Sequence, residues 1–420
     1  MVSLVKWMRR VLRPDPWKPL QFPTAGFEEF PASEVLEEEF FHEFKKGDYY
    51  PVNIGDLLDS DTYQVVGKLG FGRTSSVWLA RDLRARKYVA LKIFTRWEGE
   101  TCRDEFQTCK AIEEAGHSHK GRSYLRTALD QFTIDRPGGL PHHCLVQKPL
   151  WDTWGDLLYR NPNRRFSQAL LKVSLQQLLS ALDYLHTECK LVHTDISEHN
   201  ILHSIVDKDI LKAYVKEEFK TPTPRKHVTL DDGTTVPVYA SHRFGMPKHF
   251  GHIVLSDFGE AVRGDVKHNH HAQPNQYRAP EVQLGASWSY PIDIWNVGCL
   301  IWSVFEGRHL FRGRDPVNHR YSTRAHLAEV VALLGPPPLD LLRRGWRSKE
   351  FFSEDGQWIA NVTIPRDNSL EKAEHFLTGS DKTMFLNFVR GMLAWRPEDR
   401  KTARELLKDP WLNAWEDMDD

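Results

Sequence analysis

Residues 191–202 read LVHTDISEHNIL, and the fold is decided there. Two apolar residues, Leu191 and Val192, lead into a polar loop carrying His193, Asp195 and, five residues after the aspartate, Asn200; Ile201 and Leu202 then restore apolar character. A short strand that ends in such a loop presents polar groups at a strand terminus, where a carboxylate can meet a hydroxyl and an amide oxygen can hold a hard cation. Upstream, Leu171, Leu175, Leu178, Leu182 and Leu185 recur at steps of four and three, one face of a helix, with Ser167 placed to cap its start. Downstream, His326–Leu334, stopped by Gly335 and Pro336–Pro338, and Lys382–Leu393, with Phe385, Phe388, Val389 and Met392 on one face, read as further helices. The chain after Pro149 is expected to be mostly α.

Before Pro149 the pattern is different. YQVVGKL (63–69), SSVWLA (75–80) and YVALKIF (88–94) are β-branched and aromatic runs separated by glycine-rich or charged turns, the signature of adjacent antiparallel strands. Gly70, Phe71 and Gly72 lie between the first two runs, followed by Ser75 and Val77. Glycine lets a backbone approach phosphates without a Cβ clash, although two glycines in a hairpin can equally serve only as a turn. Lys92 closes VALK behind Ala90, on an apolar strand where an ammonium needs a partner. Glu105, in the helical stretch RDEFQTCKAIEEA, is the first candidate, with Glu113 and Glu100 as alternatives. SDFGEA supplies Asp257, a carboxylate suited to Mg²⁺, and QYRAPE places Glu281 24 residues beyond it.

Taken together in this order, the segments resemble a eukaryotic protein kinase, and more narrowly the SR-protein kinase (SRPK) family: HTD at 193–195, QYRAPEV, DIWNVGCLIW and an insertion ahead of SDFG carry the narrower likeness. The similarity spans about residues 60–415. It implies an α+β, two-lobed fold, with a small antiparallel sheet plus one helix in the N-lobe (60–148) and a larger, mostly helical C-lobe (149–415, with an insert at 203–250). Residues 1–59 form an extension. The resemblance further implies ATP near Gln147–Pro149, bound by Gly70, Phe71, Gly72, Ser75, Val77, Ala90, Lys92 and Gln147. Mg²⁺ falls to Asn200 and Asp257, and the catalytic roles to Asp195, Lys92 and Glu105. His193 would orient the loop, Asp293 would brace it, and Arg400, in WRPEDRKTA, would pair with Glu281. The substrate class implied is protein serine or threonine, in Arg/Ser-rich partners.

Four departures bear on chemistry. Ser197 stands two residues after Asp195, where the family usually carries a lysine facing the transferred phosphoryl group. His199 is a candidate partial substitute when protonated, against the plainer reading of a solvated loop histidine. Thr194 replaces the arginine that pairs with a phosphorylated activation loop in many kinases, and no Ser, Thr or Tyr lies between Phe258 and Gln276. Activity independent of phosphorylation on that loop is expected. The KHNHH run (267–271) reads as a solvated loop rather than a metal site, and the acidic stretch 28–43 as a solvated helix face.

Composition sets outer limits. In 420 residues, 56 Lys+Arg against 57 Asp+Glu leave a formal net charge of −1, without the basic excess that drives direct nucleic-acid binding. Hydrophobic content of 40%, with 14 Trp and 22 Phe, argues for a folded chain. Five scattered cysteines fit neither a disulfide framework nor a zinc site. No apolar run is long enough to cross a membrane, and the basic start MVSLVKWMRRVLRP reads as a tail rather than a secretory signal. A monomer in the cytoplasm or nucleus is the expectation. In 203–250, HVTLDDGTTVPVY reads as a hairpin with Asp232–Gly233 in a tight primed turn. Two rival readings stay open: a catalytically weak, nucleotide-binding scaffold, suggested by Ser197, and a small-molecule phosphotransferase, which has no need of QYRAPE.

Overall fold

The computed structural model describes residues 15–136, 139–366 and 368–414. The basic tail MVSLVKWMRRVLRP and residue 415 lie outside the described residues. Two compact units emerge: one from Met1–Gln107, Thr127–Leu150 and Ile205–Phe250, the other from Thr108–Arg126, Trp151–Ser204 and Gly251–Asp420.

The first unit is built on a six-stranded antiparallel sheet: β1 (Leu57–Leu58), β2 (Tyr63–Phe71), β3 (Ser75–Asp82), β4 (Lys87–Phe94), β5 (Ala128–Ile134) and β6 (His142–Gln147), in the order β1-β2-β3-β4-β6-β5. Its strands alternate as the runs of β-branched and aromatic residues predict. Val65, Trp78, Ala80, Val89, Leu91, Ile93, Cys144 and Val146 form one core face, joined by Val52 from the segment before the sheet and Tyr239 from the insertion. The opposite face carries the residues of chemical interest. The helix Gly99–Glu114 starts ahead of the expected stretch.

The insertion belongs to this sheet-rich unit, although its place in the sequence lies within the helical half. The reason is packing. Its helix Asp209–Lys220 sends Tyr214 against β2, where the hydroxyl donates to Lys68 O at 3.0 Å. A Cβ on Gly67 would lie 2.5 Å from the Tyr214 ring, so glycine is what allows this close approach. The hairpin pairs Arg225–Thr229 with Thr235–Tyr239, but the primed two-residue turn does not form. Instead Gly233 N donates to Leu230 O and Leu230 N to Thr234 O, with left-handed φ only at Gly233 (84°). A primed turn of the Asp-Gly kind needs positive φ at both central residues; here Asp231–Gly233 form a three-residue loop with a glycine bulge.

The acidic stretch is not a solvated helix face. Glu38 is buried with Lys68 (Nζ to Oε2, 2.6 Å), Glu39 pairs with buried Lys226 at 2.6 Å, and Glu37 accepts from Ser241 Oγ at 2.9 Å. Phe44 and Tyr49 pack with Val228, Leu230, Val236 and Val238 of the hairpin in a second small core. Residues 15–59 are thus part of the unit, and β1 within them pairs with β2.

The second unit is helical around Gln168–Tyr184, whose Ser167 hydroxyl accepts from Leu170 N at 3.3 Å and whose Leu171, Leu175, Leu178 and Leu182 are buried. Pro291–Ile301, Thr323–Leu334 and Gly379–Arg390 add to it, and Trp302, Phe385 and Trp411 meet in its core. Two short ladders frame the loop that opened the reading. Val192 pairs with Val262 before it, and Ile201 with Leu255 after it, so both loop ends are pinned by backbone hydrogen bonds.

Candidate active site

In the first unit, strand register sorts the candidate nucleotide residues by face. Val77 is opposite both Gly70 and Lys92, and Ala90 is opposite Gln147. Paired residues share a face, as do residues two apart, so Gly70, Val77, Ala90, Lys92 and Gln147 all stand on the face opposite the Trp78–Leu91–Val146 core. Phe71 departs from the expected set: opposite Ser76, its half-exposed ring turns to the other face, tilted at 6.2 Å from Phe41. Gly70 and Gly72 lack left-handed φ, so a turn does not require them. A Cβ on Gly70 would meet nothing within 4 Å and one on Gly72 only Ser75 O at 3.8 Å. The space a side chain would fill is open above both, which fits a backbone that lies close to a ligand. Ser75 itself is buried, its carbonyl accepting from Gly72 N at 2.8 Å.

Lys92 Nζ is 2.7 Å from Glu105 Oε2, with the carboxylate side chain only 1% exposed. This pair joins strand to helix and fixes the ammonium on the candidate face; among the three glutamates the sequence left open, Glu105 is the partner.

In the second unit the loop 193–200 is a closed hydrogen-bond network. His193 is fully buried. Its Nδ1 accepts from Asp195 N at 3.2 Å, which leaves Nε2 to donate to Ser256 O at 3.1 Å, ahead of Asp257. Asp293, also buried, accepts from His193 N (2.8 Å), Thr194 N (2.9 Å) and His186 Nε2 (2.9 Å). Thr194 takes φ of 70°, a conformation that costs a β-branched residue about 1–3 kcal/mol. Asp293 and a bond from Thr194 Oγ1 to Glu260 O at 3.0 Å hold it there. Where an arginine would await a phosphate, this threonine grips the backbone after Asp257 directly.

Asn200 Nδ2 donates to Asp195 Oδ2 at 2.7 Å and to Asp195 O at 2.8 Å. That orientation leaves its carbonyl oxygen outside both bonds, as the atom that could hold a cation. Burial pushes the Asp195 carboxyl up, and the Asp257 charge adds to this against the opposing pull of His193 and the Asn200 bond. The Asp257 carboxylate and the Asn200 amide oxygen are hard oxygen donors of the kind Mg²⁺ takes, so these residues fit such a cation. Ser197 is buried, and His199 has a side chain 75% exposed, 3.9 Å from Glu198. The solvated-loop reading describes His199 better. The KHNHH run is likewise an exposed loop, with only His268 half-buried; His268 and His270 lie against Trp288 at 4.7 and 4.9 Å between centroids, and among the described residues no cluster of His, Cys, Asp and Glu could hold a metal.

Glu281 and Arg400 form twin 2.7 Å bonds with both side chains fully buried, and Arg400 also donates to Ala394 O and Pro291 O. The protein kinase domain family matches residues 63–216 and 246–412. The chain belongs to the protein kinase family. A serine/threonine protein kinase of Aspergillus fumigatus is 42% identical over 97% of this chain and 98% of its own. The serine/threonine-protein kinase SRPK of Physarum polycephalum is 28% identical, covering 90% and 91%, and protein kinase dsk1 of Schizosaccharomyces pombe 27%, covering 89% and 85%. A crystal structure of a kinase domain superposes with a TM-score of 0.66 at 23% identity, covering 88% of this chain and all of the other, which shows the fold.

This is therefore an SRPK-like serine/threonine protein kinase. The stretch the family leaves unmatched, 217–245, falls inside the insertion that packs on β2. Sequence reasoning passed over Tyr49, whose hydroxyl reaches the glycine hairpin of the kinase, and Lys68 with its buried carboxylates. No periodicity marks either, because each acts across the segment before the sheet rather than within one element. Among the described residues, no helix is long and apolar enough to cross a membrane.

Proposed function

We propose that the protein transfers the γ-phosphate of ATP to serine or threonine in Arg/Ser-rich proteins. The observation that carries this reading is the Lys92–Glu105 pair, in which a buried carboxylate holds an ammonium on the sheet face shared with Gly70, Val77, Ala90 and Gln147. Lys92 and the glycine hairpin hold the nucleotide phosphates, and Asn200 and Asp257 hold Mg²⁺. Held there, Mg²⁺ would supply charge neutralisation to the phosphates. Asp195 orients the substrate hydroxyl and takes its proton as the oxygen attacks phosphorus, and burial, by raising its carboxyl, makes it the better acceptor. Relatives named for SRPK support the Arg/Ser-rich class. The test incubates the purified protein with Mg·ATP and an Arg/Ser repeat peptide, beside a basic protein lacking such repeats. Incorporation into the repeat peptide supports the reading, and equal labelling of both overturns the substrate class.

Ser197 favours a second reading, a weak catalyst that acts mainly as a nucleotide-bound scaffold. With Ser197 buried and His199 out in solvent, the loop offers no fixed cation to the transferring group. Ser197→Lys is expected to raise the single-turnover transfer rate by about 10²-fold, the size of one preorganised charge interaction. An unchanged rate in rapid-quench measurement would mean that the kinase does not lack a cation at this step.

A further inference from the structure

Tyr49 lies before the first strand, in a segment the sequence presents only as an extension. Its ring is buried beside Phe44, 6.0 Å between centroids, and its hydroxyl oxygen stands 2.7 Å from Gly72 O and 2.7 Å from Arg73 O. A phenol has one hydrogen, so the two carbonyls share it. Burial, together with the charges of Glu38 and Glu43, pushes the phenol well above its ordinary range, so it remains a donor at any working pH. In a trans peptide the carbonyl of one residue and the N–H of the next point in opposite directions. With the Gly72 and Arg73 carbonyls turned to Tyr49, the Arg73 and Thr74 amides point away from it, and neither has an acceptor among the described residues. Successive unsatisfied amides pointing the same way form an anion-binding concavity. Gly72 N is already used, bonding Ser75 O, and Thr74 O accepts from Thr95 N at 2.9 Å, tying the hairpin to the end of β4.

We propose that Tyr49 is a positioning residue for nucleotide binding: its hydroxyl fixes the two peptide planes at the hairpin tip so that the Arg73 and Thr74 amides face the phosphates. The proposal rests on the kinase reading. Two neighbouring contacts act on the same tip. Arg73 pairs with Glu43 at 2.9 Å, on a side chain too exposed to contribute much, and Phe41 lies beside Phe71. Glycine-rich kinase loops are otherwise mobile, and a clamp on the tip restricts that motion.

Tyr49→Phe keeps the ring and removes the donor. Calorimetric titration with Mg·AMP-PNP is expected to show binding weakened by about 3- to 10-fold, the worth of one hydrogen bond, with adenosine binding and the KM for peptide unchanged, since neither uses phosphate-facing amides. In the Mg·AMP-PNP complex, hydrogen exchange at Arg73 and Thr74 should be faster in Tyr49→Phe than in the wild type, while the interior of β2 and β3 stays protected. Phe44→Leu disturbs the same small core without touching the hydroxyl, and is expected to leave Mg·AMP-PNP affinity as in the wild type. Equal affinity in Tyr49→Phe and wild type overturns the proposal alone, as does an equal loss in Phe44→Leu, or an equal loss for adenosine. Failure of the wild-type protein to bind Mg·AMP-PNP at all overturns the kinase reading and the proposal with it.

Discussion

Asp195→Asn lowers phosphoryl transfer by about 10³-fold, within the range that a positioned general base contributes, while the protein stays folded and melts higher than the wild type near neutral pH. The kinetic loss follows from removing the acceptor for the hydroxyl proton. The gain in stability follows from linkage. Burial and Asp257 raise the folded-state carboxyl of Asp195 above its ordinary value, so above both values the native state carries the cost of an ionised, desolvated group. As pH falls below the ordinary value the carboxyl is protonated in folded and unfolded chains alike, and the cost vanishes. The melting difference is therefore largest near pH 7 and closes towards pH 4 or below. The amide can still serve the network, since its oxygen can accept from Asn200 Nδ2 as the carboxylate does at 2.7 Å. The same raised value predicts that the acidic limb of the wild-type rate profile lies above the range of an exposed aspartate. A variant that keeps a tenth of the wild-type rate removes Asp195 from the proton-accepting role.

The second large effect is on stability. Glu281→Gln leaves the Arg400 guanidinium against a neutral amide that cannot balance its charge, at a site where both side chains are fully buried. Breaking one partner of a fully buried pair costs about 3–5 kcal/mol, far more than deleting an exposed pair. Urea unfolding of the helical unit is expected to shift by that amount. Glu281→Leu combined with Arg400→Met is expected to recover part of it, because no charge is then stranded, although the Ala394 and Pro291 carbonyls lose their donor. A cost below 1 kcal/mol for Glu281→Gln would mean that water reaches the pair.

The elements that could be read in advance share one property: their signal lies within a single segment. The five-leucine stripe from Leu171 and the cap at Ser167 describe a helix without reference to anything else. Alternation in YVALKIF assigns Leu91 to the core and Lys92 to the opposite face, because the period of a strand is two. The order of the glycine hairpin, VALK, HTD, SDFG and QYRAPE carries the family likeness with no coordinates at all.

What lay beyond reach involves partners far apart in the chain. In isolation Glu38 is one more charge in an acidic run, and a run of charges is stable in water; only when Lys68 and the insertion close over it does burial become compatible with ionisation. Asp232–Gly233 names a turn but not its length, since the length depends on how Leu230 and Thr234 pair. The sequence by itself determined the family likeness and the segments, from the glycine hairpin to SDFG, that carry the residues proposed to hold phosphate, metal and hydroxyl. Tertiary structure alone decided that Glu105 is the partner of Lys92, that the insertion packs within the sheet-rich unit, and that Tyr49 bonds the hairpin tip. A hydrogen bond or ion pair is specified by distance and desolvation, and neither exists until remote segments pack.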